Sequence, residues 1–301
     1  MRATHVYTKG KNGWGIFYRI EDCLVFYTIF SVLVREMSLT VLAFCLMFNH
    51  THAMFLDISR VTLRRFQQRL THLFVRDYNE EYQREGGLFH QPFGRATKIA
   101  LKKIMSCIIY IFNNPVAGNM CVKAIENRWT LLAYKDNTHP FSERLVKRNC
   151  RFRMRMALKE VDICFKEGKY LNYKTLKRIF EGLTADEKKQ VTDYIIVKYT
   201  FLDYDGLEDL YGTWENFLTT LDATTGAEHD LEDEFGDHSC YLKMISLINR
   251  RGYKGANMEA LGQTERNRLI NHIRSSVNPP REQLRKFLHL PLQPPRRRAA
   301  A

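Results

Sequence analysis

The stretch Met47-Phe48-Asn49-His50-Thr51-His52-Ala53-Met54-Phe55 concentrates chemistry-bearing side chains. In a strand, residues i and i+2 point to the same face, so His50 and His52 can present two imidazoles to one metal ion. Their neighbours Val41, Ala43, Cys45, Leu46, Ala53, Phe55 and Leu56 are apolar. Two buried histidines in such company need ligation or hydrogen bonds to offset desolvation. Oxygen ligands completing the site would suit Mg²⁺ or Mn²⁺ as well as zinc. Read structurally, the same pair is two partly exposed polar residues on an edge strand. A second group lies in Tyr110-Ile-Phe-Asn-Asn114-Pro115-Val116. On a helix Tyr110 and Asn114 stand at i and i+4 and share a face. The phenol is a candidate nucleophile and the amide oxygen a third ligand, with positions left for a substrate phosphate oxygen. The plain alternative is a core aromatic followed by an asparagine that ends the helix before proline.

These residues need a sheet and a helix to hold them. Thr4 to Tyr7 reads as a first strand, followed by a glycine-rich turn from Gly10 to Gly15. Asp22 can cap a helix running to about Glu36, with Leu24, Tyr27, Phe30, Leu33 and Val34 on one face. Ser38 to Met47 and His50 to Leu56 read as strands joined through Phe48 and Asn49. A long helix is expected from Thr62 to Tyr82, a strand from Leu88 to Ile99, and a helix from Leu101 that stops at Asn114. Beyond residue 145 the periodicity is helical, with helices expected at 154–167, 172–182, 184–199, 213–221, 239–250, 257–274 and 280–289.

The 301 residues carry 46 Lys+Arg against 33 Asp+Glu, a net charge of +13. That excess attracts polyanions and makes nucleic acid or an anionic membrane surface the leading partner class. Nineteen Phe and 15 Tyr exclude a disordered chain. Seven scattered cysteines without a CxxC pair indicate neither a disulfide framework nor a zinc ribbon. No apolar run is long enough to span a bilayer. The expectation is a soluble, cytoplasmic protein of two domains, 1–145 and 146–290, with an acidic loop at 222–238 and a disordered tail at 291–301.

Residues 2–140 resemble the single-tyrosine HUH transposase domain, in particular its REP-associated branch. The resemblance rests on the apolar strand ending in Met-x-Asn-His-x-His, the later Tyr-Ile-x-x-Asn-Pro-Val, the Gly87-Leu88-Phe89-His90-Gln91 stretch, and Arg128-Trp129-Thr130 with Tyr134. Phe48 departs from the family's usual proline, and Val116-Ala117-Gly118 is one residue short of its usual spacing. The resemblance implies an α+β fold: a ferredoxin-like antiparallel sheet with helices, followed by an all-helical C-terminal domain. It implies His50, His52 and Asn114 as ligands of a divalent metal, Mg²⁺ or Mn²⁺, and Tyr110 as nucleophile. The implied reaction is cleavage and strand transfer of single-stranded DNA through a 5′-phosphotyrosine. A hairpin or palindromic substrate and a monomer or homodimer go with it.

Further candidates for DNA contact follow from charge. Arg60, Arg64, Arg65 and Arg69 line the 60–82 helix, and Arg95 and Lys98 lie on the following strand. Residues 257–290 have a helix-turn-helix rhythm, in which Arg281, Gln283 and Arg285 decorate a second helix whose buried side is Leu284, Phe287 and Leu288. A regulator that binds nucleic acid without cutting it is the competing reading.

Overall fold

The computed structural model describes residues 1–223, 238–253 and 261–290. Strand β1 (Ala3–Lys9) leads to helix α1 (Ile20–Glu36); β2 (Thr40–Leu46) and β3 (His50–Leu56) form a hairpin; α2 (Arg60–Tyr82), β4 (Gly94–Lys98) and α3 (Leu101–Ala117) follow. The four strands form one antiparallel sheet in the order β2-β3-β1-β4, the ferredoxin-like arrangement. The histidine strand β3 is therefore internal, flanked by β2 and β1, and not at an edge.

Each face of the sheet is covered. On one, Phe55 meets Phe30 of α1 and Phe66 of α2, at ring separations of 5.8 and 5.1 Å. On the other lies α3, so β2 and β3 are buried on both faces; β2 reads as a nearly continuous apolar run, whereas β3 opens with His50, Thr51 and His52. Gly94 is required by packing: a Cβ there would overlap the ring of Tyr7 across the β1–β4 ladder.

Three elements differ from expectation. Asp22 caps α1 as expected, but from its third position and not from before its start: Oδ2 accepts from the Tyr18 and Arg19 backbone amides, 2.9 and 2.8 Å away. The strand expected over 88–99 is confined to Gly94–Lys98, with only an isolated bridge between Phe89 and Gly10 before it. Helix α3 runs through Pro115 instead of stopping at Asn114. Proline removes the amide that would bond the Ile111 carbonyl, and the Asn114 side chain supplies donors instead, to Tyr110 O at 2.8 Å and Ile111 O at 3.4 Å.

Helices α4 (Phe152–Lys166), α5 (Tyr173–Phe180), α6 (Ala185–Lys198), α7 (Tyr204–Tyr211) and α8 (Trp214–Ala223) pack outside α1 and α3. The 204–211 helix had no counterpart in the sequence reading. Buried residues on both sides of position 145, from Ala3 to Leu221, belong to one hydrophobic cluster. A smaller cluster joins α9 (Ser239–Arg250), α10 (Gln263–Val277) and α11 (Arg281–Phe287) to Tyr18 and Phe48. The fold is α+β, with its C-terminal half helical. The bulk of the acidic 222–238 segment, residues 254–260 and the 291–301 tail lie outside the described residues. Among the described residues no helix is long and apolar enough to cross a membrane.

Candidate metal and nucleophile site

Strand register brings the site together. On β1 and β3, Lys9 pairs with His50, Tyr7 with His52 and His5 with Met54. Alternation then puts His5, Tyr7, His50 and His52 on the face that α3 covers. The rings of His50 and His52 are 4.9 Å apart and perpendicular. Tyr110 meets His52 edge-on at 5.7 Å and His5 at 5.9 Å. Asn114, one turn further along α3, is hydrogen-bonded through its side chain to His52. Because Nδ2 of Asn114 donates to its own helix, Oδ1 is the atom left to meet the imidazole. The four residues singled out from two distant segments thus stand together.

Burial is nearly complete: His52 is 1% exposed, Tyr110 2% and Asn114 4%, while His50 is half-buried toward the hairpin end. Burial holds His52 well below the usual imidazole range; the neighbouring His50, His5 and Lys9 reinforce this, and the Asn114 hydrogen bond opposes it. His52 is therefore neutral at neutral pH, as a metal ligand must be.

Both imidazoles are oriented through Nδ1. His50 Nδ1 lies 2.8 Å from Asn49 Oδ1, and the Asn49 amide is itself fixed by donating to Gly13 O at 2.8 Å. His52 Nδ1 lies 2.9 Å from His5 Nε2. Among the described residues no three His, Cys, Asp or Glu converge as a metal site. An ion here would take two imidazoles and the Asn114 amide oxygen, a nitrogen–oxygen donor set that fits a divalent cation such as Mn²⁺ or Mg²⁺.

Three contributors escaped the sequence reading. His5 and Tyr7 sit two apart in the first strand, the same spacing that marked His50 and His52, and that alternation was their one available signal. His238, just before α9, had none. Its ring comes within 6.0 Å of His50, and its backbone N–H donates to Gly118 O at the end of α3, 2.9 Å away.

The basic candidates are more dispersed. Thr8, on the sheet face opposite the histidines, bonds Gln67 of α2, which places α2 on that opposite face. Arg60, Arg64 and Arg65 are exposed there, away from Tyr110. Arg69 is held in a two-pronged ion pair by Glu36, at 2.5 and 2.9 Å, so its guanidinium is already engaged. Arg95 pairs with Val6 and faces the α2 side, whereas Lys98 pairs with Ala3 and faces the histidine side.

The turn at Asn278-Pro279-Pro280 and the buried Leu284, Phe287 and Leu288 match the expected helix pair. Its proposed reading face does not. Gln283 is buried, and Arg285 is bonded to Glu282 at 2.6 Å and to Asn12 O at 3.3 Å. The cause is that α11 docks on the 10–15 loop, where Gly15 N donates to Lys286 O. Of the three residues offered as groove readers, only Arg281 is exposed.

No family model matches the chain, and the search of curated proteins finds no match. Among solved structures, that of a REP-associated tyrosine transposase bound to a REP hairpin is similar, at 14% identity and a TM-score of 0.34, over 42% of this chain and 74% of that one.

Proposed function

We propose that this chain cleaves and rejoins single-stranded DNA, hairpin or palindromic in form, through a 5′-phosphotyrosine on Tyr110. The observation that carries the reading is the meeting of Tyr110 and Asn114 with His52 on one buried sheet face beside His50. The net charge of +13 suits a polyanionic substrate. His50, His52 and Asn114 would hold a divalent ion, Mg²⁺ or Mn²⁺, which when bound polarises the scissile phosphate.

The chain's own groups do the remaining work. His52, kept neutral by burial, stays available as a donor rather than taking up a proton. The Tyr110 Oη–phosphorus bond forms as the phosphorus–O3′ bond breaks; the phenolic proton passes to solvent and the departing 3′ oxygen ends as a hydroxyl. Attack of a 3′-hydroxyl on the phosphotyrosine reverses these steps, so strands rejoin without external energy. With Tyr110 2% exposed, an opening step must precede attack. That same burial is what favours the competing reading, a DNA-binding regulator that does not cut.

Incubation of end-labelled single-stranded hairpins from DNA flanking the gene with Mg²⁺ or Mn²⁺, resolved on denaturing gels, separates the two. The expected result is a metal-dependent adduct on the 3′ fragment that Tyr110→Phe abolishes without loss of DNA binding. Binding with no adduct, or an adduct undiminished in Tyr110→Phe, overturns the assignment.

A further inference from the structure

The contact between His5 and His52 links two strands inside the site. Their nitrogens are 2.9 Å apart, their rings are stacked at 5.1 Å with 25° between planes, and both are at most 2% exposed. At that distance one nitrogen carries a proton and the other does not. Two arrangements are available. Either His5 donates from Nε2 to His52 Nδ1, or His52 donates from Nδ1 to His5 Nε2.

With no ion present, Asn114 Oδ1, which can only accept, takes a hydrogen bond from His52 Nε2, so the first arrangement holds; only the second leaves His52 Nε2 with its lone pair for an ion. Nε2 is also the nitrogen on the Asn114 side, because Nδ1 is occupied by His5. The neighbouring imidazole is held in the same sense, with Nδ1 of His50 against the Asn49 side-chain Oδ1. Both imidazoles are thus pinned at Nδ1, which leaves Nε2 of each as the nitrogen available to an ion.

We propose that His5 is a positioning residue: when an ion is bound it accepts a hydrogen bond from His52 Nδ1, which leaves Nε2 for the ion, and it fixes the plane of that ring. This deepens the metal assignment made above and rests on it. Outer partners of metal-binding histidines act in this way, and their loss weakens metal affinity by about 10- to 100-fold. His5 itself makes no contact with the ion in this arrangement.

Mn²⁺ binding to the full chain, followed by electron paramagnetic resonance of the free ion, tests it with no dependence on DNA or turnover. His5→Leu keeps the bulk and removes the acceptor; His5→Gln places an amide oxygen where Nε2 stood. The expected result is Mn²⁺ affinity lowered about 10- to 100-fold in His5→Leu and largely restored in His5→Gln, with both melting alike in EDTA. Unchanged affinity in His5→Leu overturns the proposal, as does equal weakening in both variants.

His52→Ala is the reference. If it binds Mn²⁺ as well as wild type does, the metal assignment itself is wrong; if it loses the ion while His5→Leu keeps it, only the role of His5 is. Should His5→Leu not fold, ¹⁵N resonances of the imidazoles in Mg²⁺-loaded wild type decide. A proton on His52 Nδ1 is expected, and a proton on Nε2 overturns the proposal.

Discussion

Asn114 serves both its helix and the site. Its Nδ2 bonds two carbonyls of α3, one of them left without an amide partner by Pro115, and this points Oδ1 at His52. Asn114→Leu is therefore expected to remove a donor from the site and a hydrogen bond from the proline-containing turn. Stability should fall by about 1–3 kcal/mol, the cost of leaving a buried polar group unmade, and covalent adduct should disappear. Thermal melting and the denaturing gel read the two effects separately; a variant that keeps full adduct would remove Asn114 from the ligand set. Gly94 answers to a different constraint, the overlap of any Cβ with the Tyr7 ring. Gly94→Ala should cost about 1–3 kcal/mol by overpacking, seen as a lower melting temperature, and a neutral result would mean that the edge strand shifts freely.

At the level of elements, the β2–β3 hairpin and α3 form the site, and the C-terminal helices are fastened to the same hairpin. Phe48 stacks on Tyr241 at 4.2 Å and lies 5.8 Å from Phe287, while Tyr18 donates its hydroxyl to Phe287 O at 2.8 Å. This gives a physical reason for an aromatic residue between Met47 and Asn49: it is the seat of α9 and α11. Phe48→Ala should cost about 3–5 kcal/mol, as for other buried phenylalanines. Hydrogen exchange should rise selectively in α9–α11, since the main core does not depend on this ring. A uniform rise across the sheet would contradict that separation.

Across the whole molecule, two buried carboxylates tie distant segments together. Asp193 of α6 accepts from Arg128 and Tyr134, each at 2.7 Å, and from Ser142 at 2.7 Å, so it organises the chain that leaves α3. Asp193→Ala leaves Arg128 without its buried partner and should destabilise by about 3–5 kcal/mol, measured by denaturant unfolding. Asp22 joins α1 to α2 and α5 by accepting from Tyr82 at 2.7 Å and Tyr173 at 2.8 Å. Burial raises its carboxyl from 3.8 to about 6, with Arg19 and the tyrosine hydrogen bonds opposing. Between those two values the folded chain holds a proton that the unfolded chain has lost, so this group's contribution to stability declines as pH rises through the window. Asp22→Asn cannot ionise, and its melting temperature relative to wild type should climb from pH 4 to pH 6. A constant difference would show that burial does not set this proton.

Local patterns carried the residues that meet at the candidate site and the elements that hold them. Period-two alternation placed His50 and His52 on one strand face, and i,i+4 spacing placed Tyr110 beside Asn114 on a helix, because both follow from backbone geometry alone. The antiparallel sheet, by contrast, was expected from resemblance, and its strand order is a matter of long-range pairing. Tertiary packing decided the rest. It put α2 and its arginines on the sheet face away from the histidines and buried Gln283 in α11, the helix that docks on the 10–15 loop. It also brought His5 and His238 to a site 45 and 186 residues away from them in sequence, counting from His50 to His5 and from His52 to His238. No local rule reaches such pairs, since sheet register and helix docking minimise the free energy of the whole core and not of any one segment.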